Sequence, residues 1–258
     1  MTRNYAALCS VESVTSKSGG FYPIAVQRVV SRSPQEREPI GFPMWGVDSG
    51  PVMMVAVHFC KTSHEGGYSM AQEKIAVLVG SLRKESFSRK MAKALMKLAT
   101  SSLSLEIIEI GELPLYNQDL DDTGNPPSAW TEFRERLKKF DGVLFVTPEY
   151  NRSVPGVLKN AIDVGSRPYG KSAWAGKPGA VVSVSPGAIG GFGANHHLRQ
   201  SMVFLDMPAM QQPEAYIGNA KDLFNERGDL ANDSPREFVT KFMQAFAAWV
   251  ETNIARKR

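Results

Sequence analysis

Ser81, Arg83, Ser86 and Ser88 crowd into the stretch Gly80-Ser81-Leu82-Arg83-Lys84-Glu85-Ser86-Phe87-Ser88-Arg89-Lys90, which follows the apolar run Ile75-Ala76-Val77-Leu78-Val79. A short β-branched run that ends in Gly and Ser and passes at once into a helical pattern reads as a strand, a tight loop and a helix start. Such a start aims unpaired backbone N–H groups and the positive end of the helix dipole at whatever occupies the loop. The three hydroxyls and the guanidinium add donors at the same spot, and Glu85 is able to turn outward. The chemistry this suits is phosphate binding. The competing reading is a solvated basic turn with incidental serines.

Several phosphate loops look alike, and their differences matter. There is no Gly-x-x-x-x-Gly-Lys-Ser/Thr pattern, so no Lys is placed for β- and γ-phosphates and no hydroxyl for magnesium. Gly-x-Gly-x-x-Gly, which admits the pyrophosphate of a dinucleotide, is also missing from the loop. A hydroxyl-rich loop with a single Arg suits one terminal monophosphate, as in FMN.

Two further loops carry chemistry of a different kind. Thr147-Pro148-Glu149-Tyr150-Asn151 follows the apolar run 143–146 and offers backbone groups, an aromatic ring and an amide, suited to a flat heteroaromatic ring with hydrogen-bonding edges. Ser185-Pro186-Gly187-Ala188-Ile189-Gly190-Gly191 follows the run 181–184, and its glycines let the backbone come close to a ligand.

The elements that must position these loops alternate regularly from Lys74 onward. Strands are expected at 74–79, 105–110, 142–147, 180–185 and 209–216, and helices at 88–100, 128–140, 155–166, 195–205 and 235–255. Five βα units in series call for a parallel sheet covered on both faces, an α/β three-layer sandwich. In such sheets ligands bind beyond the carboxyl ends of the strands, where the strand order reverses, and all three loops leave strands at that edge. In the last helix, Phe238, Phe242, Ala245 or Phe246, and Trp249 recur at three- and four-residue steps, forming a stripe expected to pack on the sheet. Ser234 is its expected N-cap, with Pro235 at the first helical position.

The combination of phosphate loop, Pro148-Glu149-Tyr150-Asn151, Ser153-Val154-Pro155-Gly156-Val157-Leu158-Lys159-Asn160-Ala161-Ile162-Asp163 and His197-Leu198-Arg199-Gln200 resembles the NAD(P)H-dependent FMN reductase family, in particular its bacterial chromate and quinone reductases. The resemblance covers about residues 72–257. It implies a flavodoxin-like fold, bound FMN, and hydride transfer from NAD(P)H to small electron acceptors such as quinones, chromate, azo or nitro compounds, or free flavin. It also implies a homodimer or homotetramer. Carried over position by position, Ser81, Arg83, Ser86, Phe87 and Ser88 are the residues of the phosphate site. Pro148, Glu149, Tyr150 and Asn151 would border the isoalloxazine ring, and Ser185 with Gly187 would line its far edge. Two positions depart from the family pattern: Ser88 stands where Asn is common, and Val164-Gly165 follows Ile162-Asp163 where Trp is common, near a subunit interface.

Other residues invite chemistry but have plainer readings. Asp119, Asp121 and Asp122 fit a solvated loop edge better than a hard-metal cluster. His196 and His197 point about 100° apart on a helix, so at most one faces the site, and a surface or interface role is expected. Asp163 is assigned to structural hydrogen bonding, and no protein side chain is expected to act as an obligatory acid or base. The cofactor carries the hydride chemistry. Two rival functions are a flavodoxin-type electron carrier, which is usually strongly acidic, and a flavin-binding interaction module.

Composition sets the outer bounds. Hydrophobic residues at 43% and charged ones at 22% are those of a globular protein with material for a core, and no apolar run approaches a bilayer span. A net charge of +4 is scattered without basic runs or interleaved aromatics, which implies no nucleic-acid partner. Both cysteines, Cys9 and Cys60, precede the periodic region, and the cysteine-free remainder fits a reducing, cytoplasmic compartment. Together with His58 and His64 they make a formal two-Cys, two-His set, but their spacing is unlike that of structural zinc sites, and no metal is expected. Residues 1–70 lack sustained periodicity and are expected to be an irregular extension, with the reductase domain at 71–258. That extension either binds a partner or is not natively translated, with the start at Met70. Glu65-Gly66-Gly67 can be encoded with the ribosome-binding sequence AGGAGG at a workable distance from Met70.

Overall fold

The computed structural model describes residues 72–255. Five strands form one parallel sheet in the order β2-β1-β3-β4-β5: β1 (Glu73–Val79), β2 (Leu103–Ile108), β3 (Gly142–Thr147), β4 (Gly179–Val184) and β5 (Ala215–Ile217). The helices are α1 (Phe87–Lys97), α2 (Gln118–Asp122), α3 (Ser128–Lys138), α4 (Gly156–Gly165), α5 (Phe192–Phe204) and α6 (Asp233–Ala255). β3 and β4 are buried along their whole length, as strands covered on both faces must be, while β2 at the edge alternates. The step from β1 to β2 crosses the sheet one way, and the steps from β2 to β3, β4 and β5 cross it the other. With crossovers of one hand, α1 falls on one face and α3, α4 and α5 on the opposite one. The period of two along β1 divides the core accordingly. Ile75, Val77 and Val79 pack with Met91, Leu95, Phe242 and Phe246, whereas Ala76 and Leu78 pack with Trp130, Phe133, Leu158 and Leu198.

The structure shifts several expected elements, each for a local reason. β2 begins and ends two residues earlier than expected, because its last partner pair is Leu78 with Ile108. Beyond it Glu109 leaves the ladder for a bidentate pair with Arg89 at 2.8 and 2.6 Å. β5 is reduced to Ala215–Ile217: before it the chain meets β4 only at Ala209, beside Gly179, and Pro213 has no N–H to continue a ladder. α5 starts at Phe192, behind Gly191 at φ 76°. α6 starts at Asp233, which places Ser234 and Pro235 inside its first turn instead of at the cap. Its buried stripe is Val239, Phe242, Met243, Phe246 and Val250, with Phe238 and Trp249 half-buried along its margin.

One expectation, for the acids near 120, is corrected. The acids near 120 form the short helix α2, capped by the Asn117 side chain accepting from Asp119 N at 3.1 Å. Asp121 is no solvated edge: its side chain is 4% exposed and takes two hydrogen bonds from Arg134, at 2.8 and 2.7 Å. Arg134 also donates through Nε to Val164 O and lies 5.6 Å from the Trp130 ring. Val164 and Gly165 are interior residues of the single chain. A Cβ on Gly165 would lie 2.6 Å from the Trp174 ring, which packs there and donates Nε1–H to Ile162 O.

Among the described residues no helix is long and apolar enough to cross a membrane, and no cluster of His, Cys, Asp and Glu is arranged for a metal. Cys9, Cys60, His58, His64 and the expectations for residues 1–70 lie outside the described residues.

Candidate active site

The reversal of strand order falls between β1 and β3, and the loops leaving these strands meet there. Gly80 N–H donates to Val146 O at 2.9 Å. A Cβ on Gly80 would sit 2.7 Å from Thr147 Oγ1, so glycine lets the two strand ends close on each other. The hydroxyl-bearing residues of the first loop are drawn inward: Ser81, Ser86 and Ser88 are buried. Ser86 Oγ caps α1 by accepting from Arg89 N at 3.1 Å, and Ser81 Oγ accepts from Arg83 N at 3.4 Å. Each of these hydroxyls keeps its own proton to donate. Among the described residues the N–H groups of Leu82, Lys84, Glu85, Phe87 and Ser88 meet no protein acceptor, and the exposed Arg83 guanidinium has no partner. Glu85 turns to Lys90 at 3.2 Å, and the Phe87 ring stacks on Phe224 with centroids 6.4 Å apart. Phe87 therefore offers this loop its backbone, while its ring serves packing.

The second loop is braced from β3 to α5. Pro148 is half-buried, and Glu149 is held beside the start of α5, where Oε2 accepts from Ala194 N at 3.2 Å. Gly191 at the head of α5 has no capping side chain of its own, so Glu149 supplies the missing acceptor and its charge complements the helix dipole. Glu149 Oε1 pairs with Arg152 Nη1 at 3.2 Å. Tyr150 and Ser153 exchange backbone hydrogen bonds of 3.0 and 2.9 Å around Asn151 at φ 50° and Arg152 at φ 64°. This is a two-residue type I′ turn, in which Asn is at home and Gly is the usual second residue. Arg in that left-handed region carries a strain of about 1–2 kcal/mol. The Tyr150 ring is half-exposed beside the turn.

The third loop completes the edge. Ser185 Oγ accepts from Gly187 N at 3.1 Å, and Gly190 and Gly191 sit at φ 66° and 76°. A Cβ on Gly193 would lie 2.6 Å from Arg152 O, so the second loop lies directly against the first turn of α5. The structure thus brings together the second and third loops through Glu149 and Gly193, and the first and second through Gly80.

The two histidines diverge as expected, and each has a partner that spacing could not identify. His197 Nδ1 lies 2.9 Å from Ser153 Oγ, tying α5 to the second loop. His196 Nε2 lies 2.9 Å from Tyr216 Oη, with Phe192 4.1 Å from the imidazole centroid to centroid. Burial, with the Glu214 carboxylate, pushes the Tyr216 phenol up to about 12, so it stays protonated. Glu149 as a helix brace and the strained Arg152 were also beyond a sequence reading, since both roles depend on contact with α5.

The donor set fits the FMN that the sequence implies. Buried hydroxyls, unpaired N–H groups and one guanidinium, with the nearby carboxylate turned to Lys90, suit a phosphate monoester. Tyr150, half-exposed, and the glycine-rich third loop border the same sheet edge. A groove of about 570 Å³ lies between β2 and α3, lined by Lys74, Glu106, Glu132, Glu135, Arg136 and Lys139. Arg136 there pairs with Glu106, and Glu135 with Lys138, and the groove lies away from the three loops.

Comparison with known proteins bears on the same region. The profile of the family described as NADPH-dependent FMN reductase matches residues 73–222. A quinone reductase of Pseudomonas putida is 67% identical over 181 residues, spanning 70% of this chain and 96% of that protein. A 2-hydroxy-1,4-benzoquinone reductase of Burkholderia sp. is 48% identical over 177 residues, spanning 69% of this chain and 96% of that protein. Among solved structures, the Paracoccus denitrificans flavoenzyme FerB, an NAD(P)H:(acceptor) oxidoreductase, superposes with a TM-score of 0.66 at 40% identity, covering 70% of this chain and 98% of that one.

Proposed function

The chain belongs to the NADPH-dependent FMN reductase family, and from that premise we propose that it oxidises NAD(P)H and reduces quinones at the carboxyl edge of β1, β3 and β4. The observation that carries this reading is the convergence of the three loops. FMN, when bound, supplies the hydride chemistry between nicotinamide and acceptor. Ser81, Arg83, Ser86 and Ser88, with the N–H groups of Leu82, Lys84, Glu85, Phe87 and Ser88, would hold its phosphate. Pro148, Glu149, Tyr150 and Asn151 border the ring, Glu149 by fixing the loop to α5, and Ser185 and Gly187 line its far edge. The side chains here bind, orient and exclude water, and none is assigned a proton-transfer step.

The partners follow from surface chemistry. Quinones are the acceptors best supported by the relatives, while chromate, azo or nitro compounds and free flavin are candidates for the same open edge. A homodimer or homotetramer is favoured by exposed apolar side chains around α4 and α5, including Tyr169, Val203 and Phe204. A groove of about 410 Å³ between these helices, lined by Ile162, Arg167, Phe204 and Leu205, belongs to the same face. A cytoplasmic setting accords with the cysteine-free sequence after Cys60.

The test is purification followed by a visible spectrum and NAD(P)H oxidation with 1,4-benzoquinone. Co-purified or reconstituted FMN and steady turnover without a partner protein are expected. A protein that retains no flavin, or that turns over only with a protein acceptor, refutes the proposal.

A further inference from the structure

Arg152 is a conspicuous misfit in the candidate site. It occupies the second position of a type I′ turn at φ 64°, where glycine would be unstrained, and it has no freedom to relax. The reciprocal Tyr150–Ser153 hydrogen bonds close the turn, Gly193 packs against the Arg152 carbonyl, and His197 holds Ser153. Backbone strain that the surroundings over-determine is concentrated at ligand sites.

The charges around it point to what its side chain is for. Glu149, one contact of the guanidinium, is only 11% exposed and is already stabilised by the first turn of α5. The Arg152 side chain is 75% exposed, and a single Nη1 contact to Glu149 leaves most of its five donors uncommitted. In the three loops the remaining acid, Glu85, is paired with Lys90, while Arg83 and Lys84 add positive charge. Arg83 serves the phosphate cradle, but no fixed ligand accounts for Arg152.

We propose that Arg152 is a specificity-determining residue that binds an anionic group of the ligand sharing the site with the flavin, either a phosphate of the nicotinamide nucleotide or the ionised substituent of a quinone. The assignment rests on the flavin lying at this edge. A planar guanidinium held at one corner by Glu149 presents the geometry that phosphate and sulfonate or enolate oxygens accept.

Two variants of the flavin-loaded enzyme separate charge from backbone. Arg152→Gly removes the guanidinium and relieves the positive φ, so it is not expected to unfold the loop, and Arg152→Lys keeps the charge and the strain. One arm compares KM for 1,4-naphthoquinone-2-sulfonate with KM for 1,4-naphthoquinone. The other measures KM for NADPH and NADH with the uncharged quinone, and FMN content serves as the fold control in each. In Arg152→Gly the sulfonate-to-neutral KM ratio, or the nucleotide KM, is expected to rise about tenfold or more, with partial recovery in Arg152→Lys. A change confined to the quinone arm identifies the acceptor as the source of the anion, and one confined to the nucleotide arm identifies the nucleotide. Ratios within twofold in both arms at full FMN content overturn the assignment, as does an Arg152→Gly enzyme whose only defect is altered subunit association. An unsubstituted enzyme that binds no flavin or reduces no quinone overturns the flavin-site reading and this assignment with it.

Discussion

Arg83→Ala separates the charge of the phosphate loop from the fold around it. The guanidinium is exposed and has no partner among the described residues, so its removal should leave the stability of the apoprotein within about 0.5 kcal/mol. A hydrogen bond from a charged group contributes about 1.5–3 kcal/mol, and losing one from Arg83 to the FMN phosphate converts to a roughly 10- to 150-fold weaker Kd. Ser86→Ala is the informative contrast, because Ser86 Oγ also caps α1 at Arg89 N, 3.1 Å away. That variant should lose about 1 kcal/mol of apoprotein stability as well as FMN affinity. The assay is quenching of FMN fluorescence on titration with apoprotein, paired with urea unfolding of each variant. Riboflavin provides the internal control, since without a phosphate its affinity should be indifferent to Arg83. Linkage adds a second readout. At saturating FMN a tenfold weaker Kd removes about 1.4 kcal/mol of ligand-induced stabilisation. An FMN Kd for Arg83→Ala within twofold of the parent protein, or an equal loss of riboflavin affinity, would refute the phosphate assignment.

Asp121→Asn should cost about 3–5 kcal/mol, because it leaves the buried Arg134 guanidinium without its opposite charge. Hydrogen bonding from Arg134 holds the Asp121 carboxyl below its ordinary value of 3.8, so the pair's contribution is complete above that pH and is lost as pH falls through the lower folded-state value. Urea unfolding between pH 7 and 3 should accordingly show a shallower acid decline in the variant, and identical pH dependence in both proteins would refute the coupling. A truncated chain beginning at Met70 contains every element from β1 to α6 and should keep full FMN content and quinone reductase kcat/KM within twofold. Loss of flavin or of activity on truncation would show that residues 1–69 take part in the working enzyme.

What was legible in the sequence follows from which forces act locally. The central strands were readable because burial on both faces makes them continuous apolar runs, and the loops at their ends declare themselves by Gly, Ser and Pro. Elements whose limits depend on neighbours were not readable to the residue. β5 looks long as a sequence, yet the chain leaves β4 between Ala209 and Ala215, and the strand is reduced to Ala215–Ile217. The aromatic residues of α6 suggested the helix face, but packing on α1 and the sheet rotates the buried stripe onto Val239, Met243 and Val250. A cluster such as Asp119, Asp121 and Asp122 carries no sign of which acid is buried, because Arg134 reaches Asp121 from a different helix.

The same division runs through the site and explains how its two halves work. The proposed phosphate loop is built from backbone donors and hydroxyls that lie close together in sequence, so its chemistry can be read locally. The proposed ring side is built across elements, and Glu149 links them. One carboxylate oxygen accepts from the first turn of α5 and the other holds Arg152, so a single acid fixes the edge of β3 to the glycine-rich approach from β4. The family resemblance implies Glu149 at the flavin border, and the structure shows a role for its charge there: α5 begins on Gly191, which brings no side-chain cap of its own. A glycine allows the close approach, and the neighbouring loop then supplies the missing acceptor. The loop after β3 is thus braced by capping a helix from outside it, which leaves Tyr150, Asn151 and Arg152 exposed at the turn.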